Sequence, residues 1–478
     1  MDLVSIKECF IFNSKLKSPL EKPSDDEVQD AKLLYYYPEN TEPLIKRSNL
    51  GIIEGTTAFM KEFEKSKTNF LLTELNKVFF LANNYEEDFT ICFILLKKAG
   101  NPTLFNRYEN IETKKYWLKL IIDNFYDSFI LFHNTLTKFF ISKEKPEINE
   151  PLSKEKLNIF NDFLLNFMQY MDSMRFPLIK NVQYFPMSTN MQAGLLLGMQ
   201  RLQEKIPDLK MSAIMFRGKL IHSQLPFDVI SLLYNIFYSS YDNTPKYITF
   251  AEPPYEVMQN IALKPDLKVD DEKLFSLKSS PYRKVFKLND SKNDFLIGIK
   301  DTTLNNYNVF IPNIYIKELN CEFRLLVYYY HNMVIFLFID KKFNVVNQIP
   351  KIKKIPKWID KFFKDSYAVL SKSGRPINFE NNLFCYTNNA NRSIRLCGFF
   401  NKRNQMDEKL FDTLKKALFI NENNDMTGLT KFKGYYIYYV KSMGRRIIMF
   451  FKDNLTLAQL KKEINRVNKD NFEFIFLD

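Results

Sequence analysis

Catalysis needs side chains that converge, and the residue types that usually supply it are thinly spread along this chain. The 3 histidines, His133, His222 and His331, stand far apart, with no H-x-x-x-H pair and no Cys/His cluster at zinc-ligand spacing. No G-x-S-x-G marks a nucleophile elbow. The chain has 12 glycines in 478 residues, and none forms the clustered loop that lets backbone amides approach a phosphate. Gly51 and Gly55 share one helical pattern, while Gly194 and Gly198 flank Leu195, Leu196 and Leu197. At that spacing both pairs are expected to let helices pack closely. The carboxylate runs Asp25-Asp26-Glu27 and Glu86-Glu87-Asp88 lie in polar stretches, where solvation accounts for them. No catalytic residue, metal ligand or cofactor site is expected, so the chain is expected to act without covalent chemistry.

Two basic features stand out. From Lys351 to Lys364, Lys353, Lys354, Lys357 and Lys361 alternate with Trp358, Ile359, Phe362 and Phe363. Such a segment can lie on an anionic bilayer, cations at the headgroups and aromatics dipped in. It can equally be a helix that buries its own aromatics. The other feature is a hairpin carrying Lys431, Lys433, Lys441, Arg445, Arg446 and Lys452 beside Tyr436, Tyr438 and Tyr439. Edge-strand lysines commonly guard against aggregation, and with no ribonucleoprotein-type motif no nucleic-acid partner is expected.

The elements that would position these residues recur along the chain. Ile6 to Leu16 and Lys32 to Tyr37 have the composition of strands, with Pro23 to Glu27 a solvated loop between them. Pro43 opens a helix through Phe63, strands follow at Asn69 to Phe80 and Phe89 to Lys97, and helices at Lys114 to Phe140 and Ser153 to Met171. A second pass runs from Met211 to Phe363, interrupted by a polar insertion at about 240–291. A third has strands at Leu383 to Tyr386 and Ser393 to Phe399 and a helix at Asp407 to Phe419. It closes with a hairpin about Met443-Gly444, a helix at Thr456 to Asn468 and a strand at Phe472 to Leu477. The expected fold is α/β (α+β), three antiparallel sheets flanked by helices, in units 1–175, 176–375 and 376–478.

The totals agree with a packed, non-secreted chain. Hydrophobic residues are 46% and aromatics 15%, ample for several cores. The longest apolar run, Met333 to Ile339, falls far short of the roughly 20 residues of a spanning helix. Met1 to Ser5 lacks the basic and apolar regions of a secretory signal. Cys9, Cys92, Cys321, Cys385 and Cys397 each have apolar neighbours, as expected of buried reduced thiols. The net charge of +13 favours an acidic partner or an anionic membrane face, although abundant Asn, Lys, Phe and Ile give part of it a compositional origin.

Phe10-Ile-Phe-Asn13-Ser14-Lys-Leu16, then Lys32-Leu-Leu-Tyr35-Tyr36-Tyr37-Pro38, resembles the opening of the Ccz-one family, and Ile45 to Phe59 continues the likeness. Ile206 to Ile221 is similar to the start of that family's second longin domain, and Phe472 to Asp478 to its terminal strand. The resemblance implies three longin domains and a subunit of a guanine-nucleotide exchange factor. It implies a Mon-one type longin partner, a Rab-seven class GTPase, an anionic membrane surface and compatibility with a third regulatory subunit. The implied place is the cytoplasm, with peripheral recruitment to late endosome, lysosome or vacuole. The related exchange-factor subunits of lysosome-related-organelle biogenesis share this plan, and a membrane-bound scaffold without exchange activity is the other alternative. The first longin helix is the expected partner surface, with Leu50, Ile53, Thr57 and Met60 facing the partner. This family commonly has a Gly-Leu-Cys-Glu-Ala-type turn where this chain has Leu50-Gly51-Ile52-Ile53-Glu54-Gly55.

Overall fold

The computed structural model describes residues 4–63, 70–75, 77–86, 88–97, 111–141, 152–173, 182–185, 189–238, 246–247, 256–259, 286–287, 293–303, 306–343, 345–373, 383–388, 392–397, 414, 426–432, 434–442 and 444–472. The first stretch contains β1 (Val4–Asn13), α1 (Asp25–Lys32), β2 (Leu33–Tyr37), α2 (Pro43–Phe63), β3 (Phe70–Glu74), β4 (Val78–Glu86) and β5 (Phe89–Lys97). Helices α3 (Ile111–His133), α4 (Leu136–Phe140) and α5 (Lys154–Ser173) follow. The strands pair antiparallel in the order β2-β1-β5-β4-β3. Strand residues alternate between faces, and both faces are covered, which is why β5 is apolar almost throughout. Phe10, Phe12, Phe80, Cys92 and Ile94 meet Leu50 and Ile53 of α2. Cys9, Ile11, Leu81, Ile91 and Phe93 turn the other way, towards Phe125, Phe129, Phe160 and Phe163 of α3 and α5.

Three features of this stretch differ from expectation. The single strand expected at Asn69 to Phe80 is a hairpin of two, β3 and β4, paired antiparallel. Asp25 to Glu27 are the first turn of α1, closed by a capping box in which Ser24 and Glu27 satisfy each other's backbone amides. The helix expected through Phe140 stops at His133, where Asn134 takes a positive φ of 71°. Thr135 then caps α4, and the Glu86 carboxylate accepts from the amides of Leu136 and Thr137 at 2.8 and 2.9 Å.

The next stretch has β6 (Val182–Gln183), α6 (Thr189–Lys205), β7 (Leu209–Phe216), β8 (Lys219–Ser223), α7 (Phe227–Tyr238), β9 (Lys246–Tyr247), β10 (Glu256–Gln259) and β11 (Phe286–Lys287). It continues with β12 (Asp294–Thr303), β13 (Asn306–Phe310), β14 (Asn313–Ile316), β15 (Cys321–Tyr330), β16 (Met333–Asp340), α8 (Val345–Ile352) and α9 (Ile355–Ser373). Its main sheet runs β10-β13-β12-β15-β16-β7-β8, with β14 added on β15 and β9–β11 a separate pair. Most of the polar insertion lies outside the described residues, but β10 joins this sheet. Helices α6, α8 and α9 pack on one face and α7 on the other. The third sheet takes β17 (Leu383–Asn388), β18 (Ser393–Cys397), β19 (Met426–Phe432), β20 (Tyr435–Ser442) and β21 (Arg445–Lys452), with α10 (Leu457–Phe472) after it. Its order is β19-β20-β21-β17-β18-β6, so Val182 and Gln183 pair into the third sheet although the sequence places them in the second unit. Strand β19 was not foreseen. The helix expected at 407–419, apart from Leu414, and the strand expected after Phe472 lie outside the described residues.

The first and second sheets share one core, because α3 lies between its own sheet and the second stretch. Asn134 bonds Glu322, and Lys317 Nζ lies 3.2 Å from the Tyr126 hydroxyl and 5.0 Å from its ring centre. Tyr126 in turn stacks on Tyr85 at 4.0 Å. Beside this junction His133 packs edge-on against Phe139 and Phe163, its Nε2 buried without a hydrogen-bond partner among the described residues. Burial lowers its pKa from 6.5 to about 4. A base whose folded pKa is depressed stabilises the fold above its unfolded pKa, and that contribution is lost as pH falls from 6.5 towards 4. Replacing His133 with Leu is expected to flatten stability over that window, recovering about 3 kcal/mol at its acid end. Denaturant melts at pH 8 and pH 4 check it.

Candidate functional site

Helix α2 is fixed on three sides, and the fixing residues define the side left exposed. Leu50 and Ile53, each 1% exposed, enter the sheet face formed by Phe10, Tyr36 and Phe80. Burying two such side chains contributes about 3–6 kcal/mol. On one flank Asn49 donates to the Tyr36 hydroxyl at 2.8 Å and to the buried carboxylate of Glu8 at 3.0 Å. The Tyr36 hydroxyl also donates to Glu8, and Lys7 closes the set 2.7 Å from the other carboxylate oxygen. Burial, with Glu8 beside it, pushes the Tyr36 phenol well above its usual range, so it stays a donor. On the other flank Arg47 grips Asp30 through two bonds of 2.9 and 2.6 Å and also reaches Asp26, while Lys32 meets Glu54 at 2.9 Å.

What remains outward is Ile45, Ser48, Ile52, Gly55 and Phe59, spaced by three and four, with Leu44 beside them. Leu44 is 75% exposed, Ile45 43%, Ile52 48% and Phe59 61%. Large apolar residues alternate with serine and glycine in the rhythm of a helix-packing seam. A side chain added at Gly51 or Gly55 would meet open space, so these glycines do not serve packing within the described chain as expected. Gly198 does: a Cβ there would lie 3.1 Å from the Phe362 carbonyl and 3.2 Å from the Phe363 ring, so α6 and α9 cross closely at that point.

The expected partner residues therefore need correction. Leu50 and Ile53 are spent on the domain's own sheet, because a seven-residue repeat has two apolar stripes here and they form the inner one. Thr57 lies at the half-buried margin, and the side chain of Met60 lies outside the described residues. The basic segment splits in the same way. Lys353, Lys354, Lys357 and Lys361 are exposed, whereas Ile359 and Phe363 are fully buried and Trp358 and Phe362 pack against the same core. The aromatics are thus consumed inside, and the lysines face out together with Asp360. Cys321 is exposed, unlike buried Cys9, Cys92 and Cys385; the side chain of Cys397 lies outside the described residues. Among the described residues no group of His, Cys, Asp and Glu could hold a metal, and no helix is long and apolar enough to cross a membrane.

Residues 9–134, from β1 through the end of α3, match the family model for the first longin domain of INTU, CCZ1 and HPS4. Curated relatives extend the match. The vacuolar fusion protein CCZ1 homolog of Xenopus tropicalis is 22% identical over 256 residues, 52% of this chain and 50% of that protein. The Danio rerio homolog of the same name is 24% identical over 247 residues, 49% of this chain and 48% of that one. Over about half its length the chain is similar to CCZ1 proteins, and residues 9–134 match their first longin domain. The resemblance seen in Phe10 to Phe59 is borne out, and so is a mixed α/β fold of antiparallel sheets with flanking helices. The chain spans about half the length of the curated relatives it matches. Within the longin domain, α2 is the long helix after the opening hairpin, and the outer seam described above is its solvent face.

A matched pair of substitutions separates inner from outer packing. Gly55→Ala on the seam is expected to raise stability by about 0.5–1 kcal/mol through helix propensity alone. Gly198→Ala gains the same propensity but must push back the Phe362 carbonyl, and is expected to lower stability by about 1 kcal/mol or more. Urea midpoints of the two variants check the assignment.

Proposed function

We propose that this chain is one subunit of a heteromeric guanine-nucleotide exchange factor. It docks through the outer seam of α2 on a Mon-one type longin subunit, and the pair promotes GDP release from a Rab-seven class GTPase during endosome-to-lysosome or vacuole maturation and fusion. The observation that carries this reading is the seam itself: Leu44, Ile45 and Ile52 exposed on a helix whose inner face and both flanks are engaged. A monomer rarely leaves such a stripe in water, and the serine and glycine between the large residues admit a second helix closely. The name of these relatives, vacuolar fusion protein, supports the place of action.

Exchange needs no general base. Bound nucleotide and Mg²⁺ hold the GTPase switch loops, and a partner that favours the displaced-loop state weakens nucleotide binding by linkage. A tenfold loss of nucleotide affinity takes about 1.4 kcal/mol of differential binding, well within the reach of a docking surface. The exposed row Lys353, Lys354, Lys357 and Lys361 suits an anionic membrane held by charge, with no aromatic insertion. That row also favours a second reading, a membrane-bound scaffold with no effect on nucleotide release.

Release of a fluorescent GDP from a Rab-seven class GTPase separates the two. The chain alone is expected to be slow and the pair with its longin partner fast; no acceleration by the pair excludes the exchange reading. Reversing Lys353, Lys354 and Lys357 to Glu is expected to weaken binding to anionic liposomes at least tenfold. Flotation at physiological salt checks that, and unchanged binding removes the lysine row from the membrane.

A further inference from the structure

Helix α1 sits where the longin hairpin of β1 and β2 would otherwise turn directly, and its contacts with α2 are almost entirely ionic. Of its residues Asp25–Lys32 the only buried one is Ala31, in the last turn. Asp26 and Asp30 meet Arg47, and Lys32 meets Glu54. An isolated helix of this length is marginal in water, so α1 persists through its capping box and these ion pairs. Arg47 and Glu54 each adjoin a residue of the exposed seam, Ser48 and Gly55. The helix therefore covers the border of the proposed docking face and holds two charges that a docked partner would otherwise meet.

We propose that α1 is an ionic latch over the flank of α2, released when a partner seated on the seam brings its own carboxylates to Arg47. The partner role rests on the function proposed above; the latch itself is a property of the chain alone. Opening replaces one set of charge-assisted bonds to Arg47 with another, leaving Leu50, Ile53 and the Asn49–Tyr36–Glu8 bonds in place. The docking helix keeps its position while its exposed surface widens by one flank. Because the contact is ionic and near the surface, salt should loosen it and leave the apolar seating of α2 intact.

Amide hydrogen exchange of the full chain tests this with Asp26→Asn/Asp30→Asn, isosteric changes at exposed positions. The latch predicts exchange in 25–32 about tenfold faster than in the unaltered chain, with protection of 43–59 and the thermal midpoint unchanged. Raising the unaltered chain to 1 M KCl should reproduce the effect, and the same salt should add little to the variant. Unchanged protection of 25–32 in the variant overturns the latch. Loss of protection in 43–59 along with 25–32 also overturns it, by making α1 a structural brace. With the longin partner added, the variant should bind several-fold more tightly. A loosened α1 with unaltered partner affinity overturns the link to docking, whereas no partner binding by either chain fails the functional reading and leaves the latch to the exchange data.

Discussion

The rotation of α2 about its own axis decides what the first longin domain shows to the outside. A helix can bury one stripe, and the choice here is made by Leu50 and Ile53 against Phe10, Phe80 and Ile94 of the sheet. Apolar burial alone tolerates some roll, since neighbouring aliphatics can repack. The buried bonds from Asn49 to Tyr36 and Glu8 tolerate less, because a rotated Asn49 would leave a desolvated carboxylate short of a donor. Together they place Ile45, Ile52 and Phe59 in water, which is costly for a monomer and useful for a subunit.

Much of this was legible in the residues. Strand order aside, the opening strand, the helix from Pro43 and the aromatic helices followed from period and composition, since both faces of the first sheet are covered and its central strand β5 is apolar almost throughout. The phase of α2 was not. Leu50-Ile53-Thr57-Met60 and Ile45-Ser48-Ile52-Gly55-Phe59 share the three-and-four spacing, and the large apolar residues in each do not say which stripe meets the sheet. The usable signal was the glycine and serine between the outer residues: a core stripe would fill those positions, while a seam for a second helix leaves them small. The acidic run before Lys32 misled for a related reason, because Ser24 with Glu27 is a helix start as well as a solvated sequence.

The rest of the molecule supports the first unit more than it adds separate parts. One continuous core joins the first two sheets through α3, and the Tyr85–Tyr126–Lys317 stack with the Asn134–Glu322 bond closes its edge. The segment 182–185 then bridges the second and third sheets, Val182 bonding the Arg392 carbonyl at 3.1 Å and Phe185 the Leu220 carbonyl at 2.9 Å. Arg392 also pairs with Asp228 and lies over Phe227. A seam on α2 and a lysine row at the α8–α9 junction and on α9 are therefore carried by connected layers.

The central claim is that the outer seam of α2, and not its inner stripe, receives the partner subunit. Affinity of the full chain for a Mon-one type longin subunit, measured by titration calorimetry for Ile52→Glu, tests it most directly. The account predicts a loss of at least about a hundredfold in affinity, as expected for a charge placed at the centre of an apolar contact, with the thermal midpoint of the free chain unchanged. Affinity retained within a few-fold of the unaltered chain would contradict it.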